Sequence, residues 1–178
     1  YYKSKNLKLN FHPVHRMDKN TSGLIVIAKF PHIQNLFSLK GKNTIERIYQ
    51  AVIIGKLRPK KGTIIAPIAR KAGSIIERRV DYQGKDAITH YEILAEKNFN
   101  SLVELKLGTG RTHQLRVHLA HFNNPILGDD LYGGASSFIQ RQALHAKKII
   151  FKHPITAEAI VIETSLPEDI AKVWENLV

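Results

Sequence analysis

Strand-like segments outnumber helix-like ones along this chain, and the two do not alternate. Ile48-Tyr49-Gln50-Ala51-Val52-Ile53-Ile54 reads as a strand stopped by Gly55, and Leu24-Ile25-Val26-Ile27-Ala28 reads as a short buried strand after the turn cluster Asn20-Thr21-Ser22-Gly23. Residues 90–94 and 101–107 give further strands, and segments 143–151 and 159–162 end in apolar strands. Residues 56–90 read as basic hairpin material with turns near 59–62, 72–74 and 83–84. Helical spacing is confined to residues 31–39, 113–122 and 168–177, the last opened by Leu166-Pro167. A chain of βαβ units would interleave the two periods. The expected fold class is therefore α+β, a mixed and mainly antiparallel β-sheet with flanking helices.

With 178 residues, 43% of them hydrophobic, and no repeat or linker-like stretch, residues 1–178 are expected to form one domain with a real core. The absence of Cys removes disulfides, thiolate metal sites and a thiol nucleophile, and fits a cytoplasmic location. No apolar run approaches the roughly 18 residues of a membrane span. The chain opens on Tyr1-Tyr2-Lys3-Ser4-Lys5 without an initiator Met or a signal-peptide stretch, which fits a piece of a longer chain.

Charge is unevenly spread. Residues 1–89 carry 18 Lys and Arg against 5 Asp and Glu, whereas residues 90–178 carry 9 against 10. Within residues 40–79 there are 11 basic residues against Glu46 and Glu77. Such one-sidedness points to an anionic partner, most simply a nucleic acid, rather than a merely solvated face. Lys56, Arg58, Lys60, Lys61, Arg70, Lys71, Arg78 and Arg79 are the candidate phosphate contacts in this stretch.

Three segments could carry chemistry. Asp18 stands in a loop before a strand, flanked by Arg16 and Lys19, cations that favour a carboxylate ready to act as nucleophile or base; the plain alternative is a turn-capping Asp. Gly108-Thr109-Gly110-Arg111-Thr112-His113-Gln114 joins a strand to a helix, with Thr112 expected as N-cap and Arg111 able to pair a carboxylate or phosphate. It is not a Walker loop, since no Gly-Lys-Ser/Thr follows. Tyr49 sits mid-strand, where a ring could stack on a base or simply pack. The pairs His118/His121 and His12/His15 lack the frame of a zinc motif, so no metal is expected. Asp129-Asp130 could suggest a magnesium-dependent nuclease, but after Gly128 the pair reads as a turn.

Taken together, the motifs resemble one family. His15-Arg16-Met17-Asp18-Lys19-Asn20-Thr21-Ser22-Gly23 is similar to the signature of RluA-type pseudouridine synthases, which more often have Leu where Met17 stands. Four more stretches match in order. They are Ile48 through Gly55 with Tyr49, Gly84-Lys85-Asp86-Ala87-Ile88-Thr89-His90-Tyr91, Thr109-Gly110-Arg111-Thr112-His113-Gln114-Leu115-Arg116-Val117-His118, and the pair Asn124 through Gly133 with Ala143-Leu144-His145-Ala146. Asn124 replaces a usual His. The resemblance also leads one to expect an upstream Lys-Pro-containing strand and often a small RNA-binding domain, neither present here; without the strand, a sheet edge is expected to lie open and activity to be weak.

What the resemblance implies is isomerisation of uridine to pseudouridine in RNA, with large-subunit ribosomal RNA ahead of transfer RNA as substrate and a non-catalytic RNA-binding or ribosome-assembly module as the alternative. Asp18 matches the family's catalytic Asp, Arg111 the Arg that pairs with it, and Tyr49 the Tyr that packs on the target base and is a candidate for the last proton abstraction. Arg16 matches a residue that fills the stack left by a flipped nucleotide, and Leu115 is expected to line the uracil pocket. The carboxylate would attack the ribose, add to the ring, or promote elimination to a glycal. No cofactor is expected, and a monomer is.

Overall fold

The computed structural model describes residues 3–5, 10–39, 41 and 44–177. Lys40 and Lys42 of the basic stretch lie outside the described residues. After a 3-10 turn at Lys3–Lys5, the strands are β1 (His12–Pro13), β2 (Ser22–Gly23), β3 (Ile27–Ala28), β4 (Ile45–Ile54), β5 (Lys61–Ile65), β6 (Ile68–Arg70), β7 (Arg78–Val80), β8 (Ile88–Lys97), β9 (Asn100–Leu107), β10 (Leu144–Lys152) and β11 (Ala159–Glu163). The helices are α1 (Pro31–Leu39), α2 (Gln114–His121) and α3 (Glu168–Asn176).

The fold is α+β. The main sheet runs β11-β10-β4-β9-β8-β5, antiparallel at every one of these pairs, and β2 adds a short parallel pairing to β10. β1–β3 and β6–β7 form two small antiparallel pairs beside it. β4 lies inside the sheet because it is apolar on both faces: Ala51, Val52 and Ile53 in succession are fully buried. Leu115 and Leu119 of α2 and Ile170 and Val173 of α3 join Val103 and Leu105 of β9 in the main core. α1 packs Phe37 onto Ile45, Ile149 and Phe151 in a second cluster. Among the described residues no helix is long and apolar enough to cross a membrane.

Three local expectations need correction. β4 begins at Ile45, three residues earlier than its apolar run; Glu46 and Arg47 are polar, yet both keep their ladder partners on β10. Residues 24–28 do not form one buried strand. Only Ile27–Ala28 pairs, with β1, and Ile27 is exposed. The chain leaves β10 there, with the Leu24 N–H donating to Ala146 O (3.0 Å) and the Val26 N–H donating to His15 Nε2 (3.1 Å). Finally, the cap of α2 is His113, in the left-handed region at φ 56°, and not Thr112.

Candidate active site

The loop that carries Asp18 is held down by one short segment. Gly23 pairs with Ala146 at φ +111°, so close that an added Cβ would meet the Ala146 carbonyl oxygen; only glycine fits. Ser22 Oγ hydrogen-bonds His145 Nδ1 (2.9 Å), and Gln142 Nε2 donates to Lys19 O (2.6 Å) and Thr21 Oγ1 (3.1 Å). Arg141 Nη1 donates to Asn20 O (3.2 Å), while the Thr21 N–H donates to Asp18 O (3.1 Å) and closes the turn. The Ala143-Leu144-His145-Ala146 motif thus serves to seat Asp18 beside β4.

A second loop carries Arg111, and the Gln114 side chain organises it. Gln114 Oε1 accepts from the Arg111 N–H (3.0 Å) and from Thr109 Oγ1 (2.7 Å), and Gln114 Nε2 donates to Ile88 O (2.8 Å) and Thr89 Oγ1 (3.0 Å). Thr89 donates in turn to His118 Nδ1 (2.9 Å), whose Nε2–H donates to Ala66 O (2.9 Å). Tyr132 ties this loop to the β6–β7 hairpin: its hydroxyl accepts from the Arg78 N–H and donates to His113 Nδ1, both at 2.9 Å.

His118 is fully buried, and burial holds its pKa below the ordinary 6.5. It stays neutral in the folded protein and gains a proton on unfolding at lower pH. Its contribution is therefore complete above about pH 6.5 and lost as the pH falls below it. Burial lowers His15, His113 and His145 too. Urea unfolding from pH 7.5 to 5 should show stability falling with acid, and His118→Gln should flatten that fall by up to about 1.4 kcal/mol per pH unit. An unchanged slope would refute the assignment.

The two loops face each other across β4. Arg16, Met17, Asp18, Tyr49, Arg111 and Leu115 line one pocket with about 480 Å³ of empty space, open in part to solvent. Tyr49 is buried (5% exposed), and burial, with Asp18 nearby, pushes its hydroxyl above the usual phenol range despite the opposing field of Arg47. Leu115, also 5% exposed, forms the apolar wall with Leu107 and Leu144. Asp18 is also electrostatically close to His113 and Arg116. The direct Asp18–Arg111 pair implied by the resemblance is not made among the described residues. Arg111 Nε instead donates to Asp86 O at 2.8 Å, and Arg111 remains among the residues lining the pocket.

The predicted basic residues separate into two groups. Arg70 and Arg78 line a groove that shares Gly110 and Arg111 with the pocket. Lys56 follows the end of β4, and Arg58, Lys60 and Lys61 lead into β5 at the outer edge of the sheet, where Lys61 stands three strands away from Gln50 of β4, roughly 14 Å across the sheet. There Arg58 and Lys60 pair with Glu96 (2.5 and 3.6 Å) and Lys61 with Glu92 (2.8 Å). Lys71 pairs with Glu77 and Arg79 with Asp81. The Asp129 carboxylate is occupied at both oxygens by Arg116 (2.7 and 2.8 Å), so it is not free to serve a nuclease.

Arg47, Gln114 and Tyr132 were not singled out from the sequence. Arg47 could have been: two residues before Tyr49 on a strand, it must share that ring's face. Gln114 had no such signal, because its work is done by a side chain folded back onto its own loop.

Residues 1–121 match the family described as RNA pseudouridylate synthase. YhcT of Bacillus subtilis (strain 168), named an uncharacterized RNA pseudouridine synthase, is 50% identical over 159 residues, covering 88% of this chain and 53% of the relative. The ribosomal large subunit pseudouridine synthase D of Xanthomonas campestris pv. campestris is 38% identical over 179 residues, covering 92% and 54%. Among solved structures, human RNA pseudouridylate synthase domain containing 1 superposes with a TM-score of 0.76 at 27% identity, covering 88% of this chain and 69% of that one. The chain spans a little over half the length of these curated relatives. It belongs to the RNA pseudouridylate synthase family, and within it to the RluA type.

Proposed function

We propose that this protein converts uridine to pseudouridine in RNA, with large-subunit ribosomal RNA as the substrate. The observation that carries the reading is the convergence of Asp18, Tyr49, and Arg111 with Leu115, from three separate segments, on one pocket. The relatives named as ribosomal large subunit pseudouridine synthases support the choice of RNA. The reaction is an isomerisation: the bond from N1 to the ribose breaks, C5 bonds to the same ribose carbon, C5 loses its proton and N1 gains one. It changes no oxidation state. Asp18 supplies the carboxylate. Leu115, Leu107 and Leu144 cover the ring edge, and Tyr49 packs against the base; its raised pKa favours packing over proton abstraction. Arg16, exposed at the rim, is placed to fill the stack that the base leaves.

Purified protein incubated with large-subunit ribosomal RNA and with bulk transfer RNA, each then mapped by carbodiimide, tests the reading. New pseudouridine in the ribosomal RNA alone is expected; new signal in transfer RNA alone would reassign the substrate, and none in either would remove the enzyme reading in favour of an RNA-binding module.

The groove cations are expected to track RNA phosphates, and the paired ones at the β5 edge of the sheet are not. Changing Arg70 and Arg78 together to Gln should weaken RNA binding about tenfold and lower the salt slope by about 1.4, from two single-strand contacts. Changing Lys60 and Lys61 to Gln should cost less than about twofold. Fluorescence anisotropy across a salt series reads both, and equal effects would refute the division.

A further inference from the structure

Three guanidinium side chains line the pocket, Arg16, Arg47 and Arg111, against a single carboxylate, Asp18. A uracil ring and its ribose are neutral, so base handling, with Arg16 filling the vacated stack, still leaves positive charge without use. The charged part of an RNA substrate is its phosphodiester backbone.

Arg47 stands on the boundary. It shares a β4 face with Tyr49, lines the pocket beside that ring, and also lines an adjoining open cavity with His15, Thr44, Gly110 and Arg111. Its Nε is buried without a hydrogen-bond partner, and its guanidinium makes no ion pair or hydrogen bond with any described residue. A buried donor left without an acceptor is unfavourable, and more so on a cation. Asp18 lines the same pocket but makes no ion pair with Arg47, and the other neighbours do not supply the missing anion either. Glu46 points to the opposite face and pairs with Lys106 (2.8 Å). His15 accepts the Val26 N–H through Nε2 and is held neutral by burial. Gly110 leaves room for the group: a Cβ there would stand 3.2 Å from Arg47 Nη2.

We infer that Arg47 is a phosphate-binding residue that grips the phosphodiester flanking the uridine whose base enters the pocket. This rests on the reading of the pocket as a uridine site. A guanidinium matches two phosphate oxygens at once, so the contact fixes the nucleotide's position as well as its charge. Arg47 thereby sets the depth to which the ribose carbon reaches Asp18.

The test has two arms. In the first, inorganic phosphate and then uridine 5′-monophosphate are titrated into 15N-labelled protein, and the Arg47 Nε–H resonance, identified by its loss in Arg47→Lys, is followed by NMR. A saturable shift with both ligands is expected; an unmoved resonance up to about 50 mM ligand overturns the inference. In the second, the modified RNA carries a neutral methylphosphonate at the linkage beside its target uridine. Either that change or Arg47→Gln should raise KM about tenfold, more than it lowers kcat, and the two together should cost no more than one. Full additivity overturns the inference. A phosphate shift without modification of any RNA would leave the anion site standing and remove the uridine reading of the pocket.

Discussion

Asp18→Asn should remove pseudouridine formation by at least about a thousandfold while leaving RNA affinity within about threefold. The two side chains have the same shape, and the loop holds residue 18 through backbone contacts that the change does not touch: the Thr21 N–H on Asp18 O, and Gln142 and Arg141 on the carbonyls of Lys19 and Asn20. What is lost is the negative charge among Arg16, Arg47 and Arg111. On the proposed reading, binding rests on cations along the groove, so it should persist. Single-turnover assays with anisotropy on the same RNA separate the two quantities. Parallel loss of binding and activity would mean that Asp18 acts structurally.

Arg116→Leu should have the largest effect on stability. Arg116 is 6% exposed and Asp129 fully buried, joined by two charge-assisted hydrogen bonds of 2.7 and 2.8 Å, with the Tyr132 ring 4.9 Å from the guanidinium. Removing the cation leaves a buried carboxylate with no partner, a loss of about 3–5 kcal/mol. For a chain of this size that corresponds to a melting point lower by roughly 10 °C. Replacing both partners, Arg116→Met with Asp129→Leu, should recover much of it, because no charge then stays buried. Thermal unfolding followed by circular dichroism checks both. A single change costing under about 1 kcal/mol would show that the pair is solvated in solution.

The fold was legible where one period ruled a segment. Residues 31–39 put Ile33, Leu36 and Phe37 on one face and form α1 at those bounds. The run 48–54 is the inner strand because nothing polar interrupts it except Gln50. Leu24–Ala28 misled because its apolar residues serve two neighbours: Leu24 and Val26 pack against the α1 cluster while only Ile27–Ala28 pairs with β1. The cap at His113 was hidden because no side chain makes it; the left-handed residue is fixed by Tyr132, nineteen positions away.

Site residues were legible as motifs and not as geometry. Nothing in the spacing brings residues 18, 49 and 111 together; the pairing of β2 on β10, of β10 on β4 and of β4 on β9 does. The same tertiary cause divides the basic stretch. Arg78 lines the groove with its guanidinium donating, among the described residues, only to the Ile76 and Glu77 carbonyls, whereas Arg58 and Lys60 are drawn to Glu96 on β8. Composition records their number but not their neighbours.

Carbodiimide mapping of cellular RNA tests the central claim most directly, in cells lacking the gene and in the same cells supplied with either the wild-type protein or Asp18→Asn. We expect one or a few pseudouridines in large-subunit ribosomal RNA to disappear without the gene, to return with the wild type, and to stay absent with Asp18→Asn. An unchanged map in all three, or full restoration by Asp18→Asn, would contradict it.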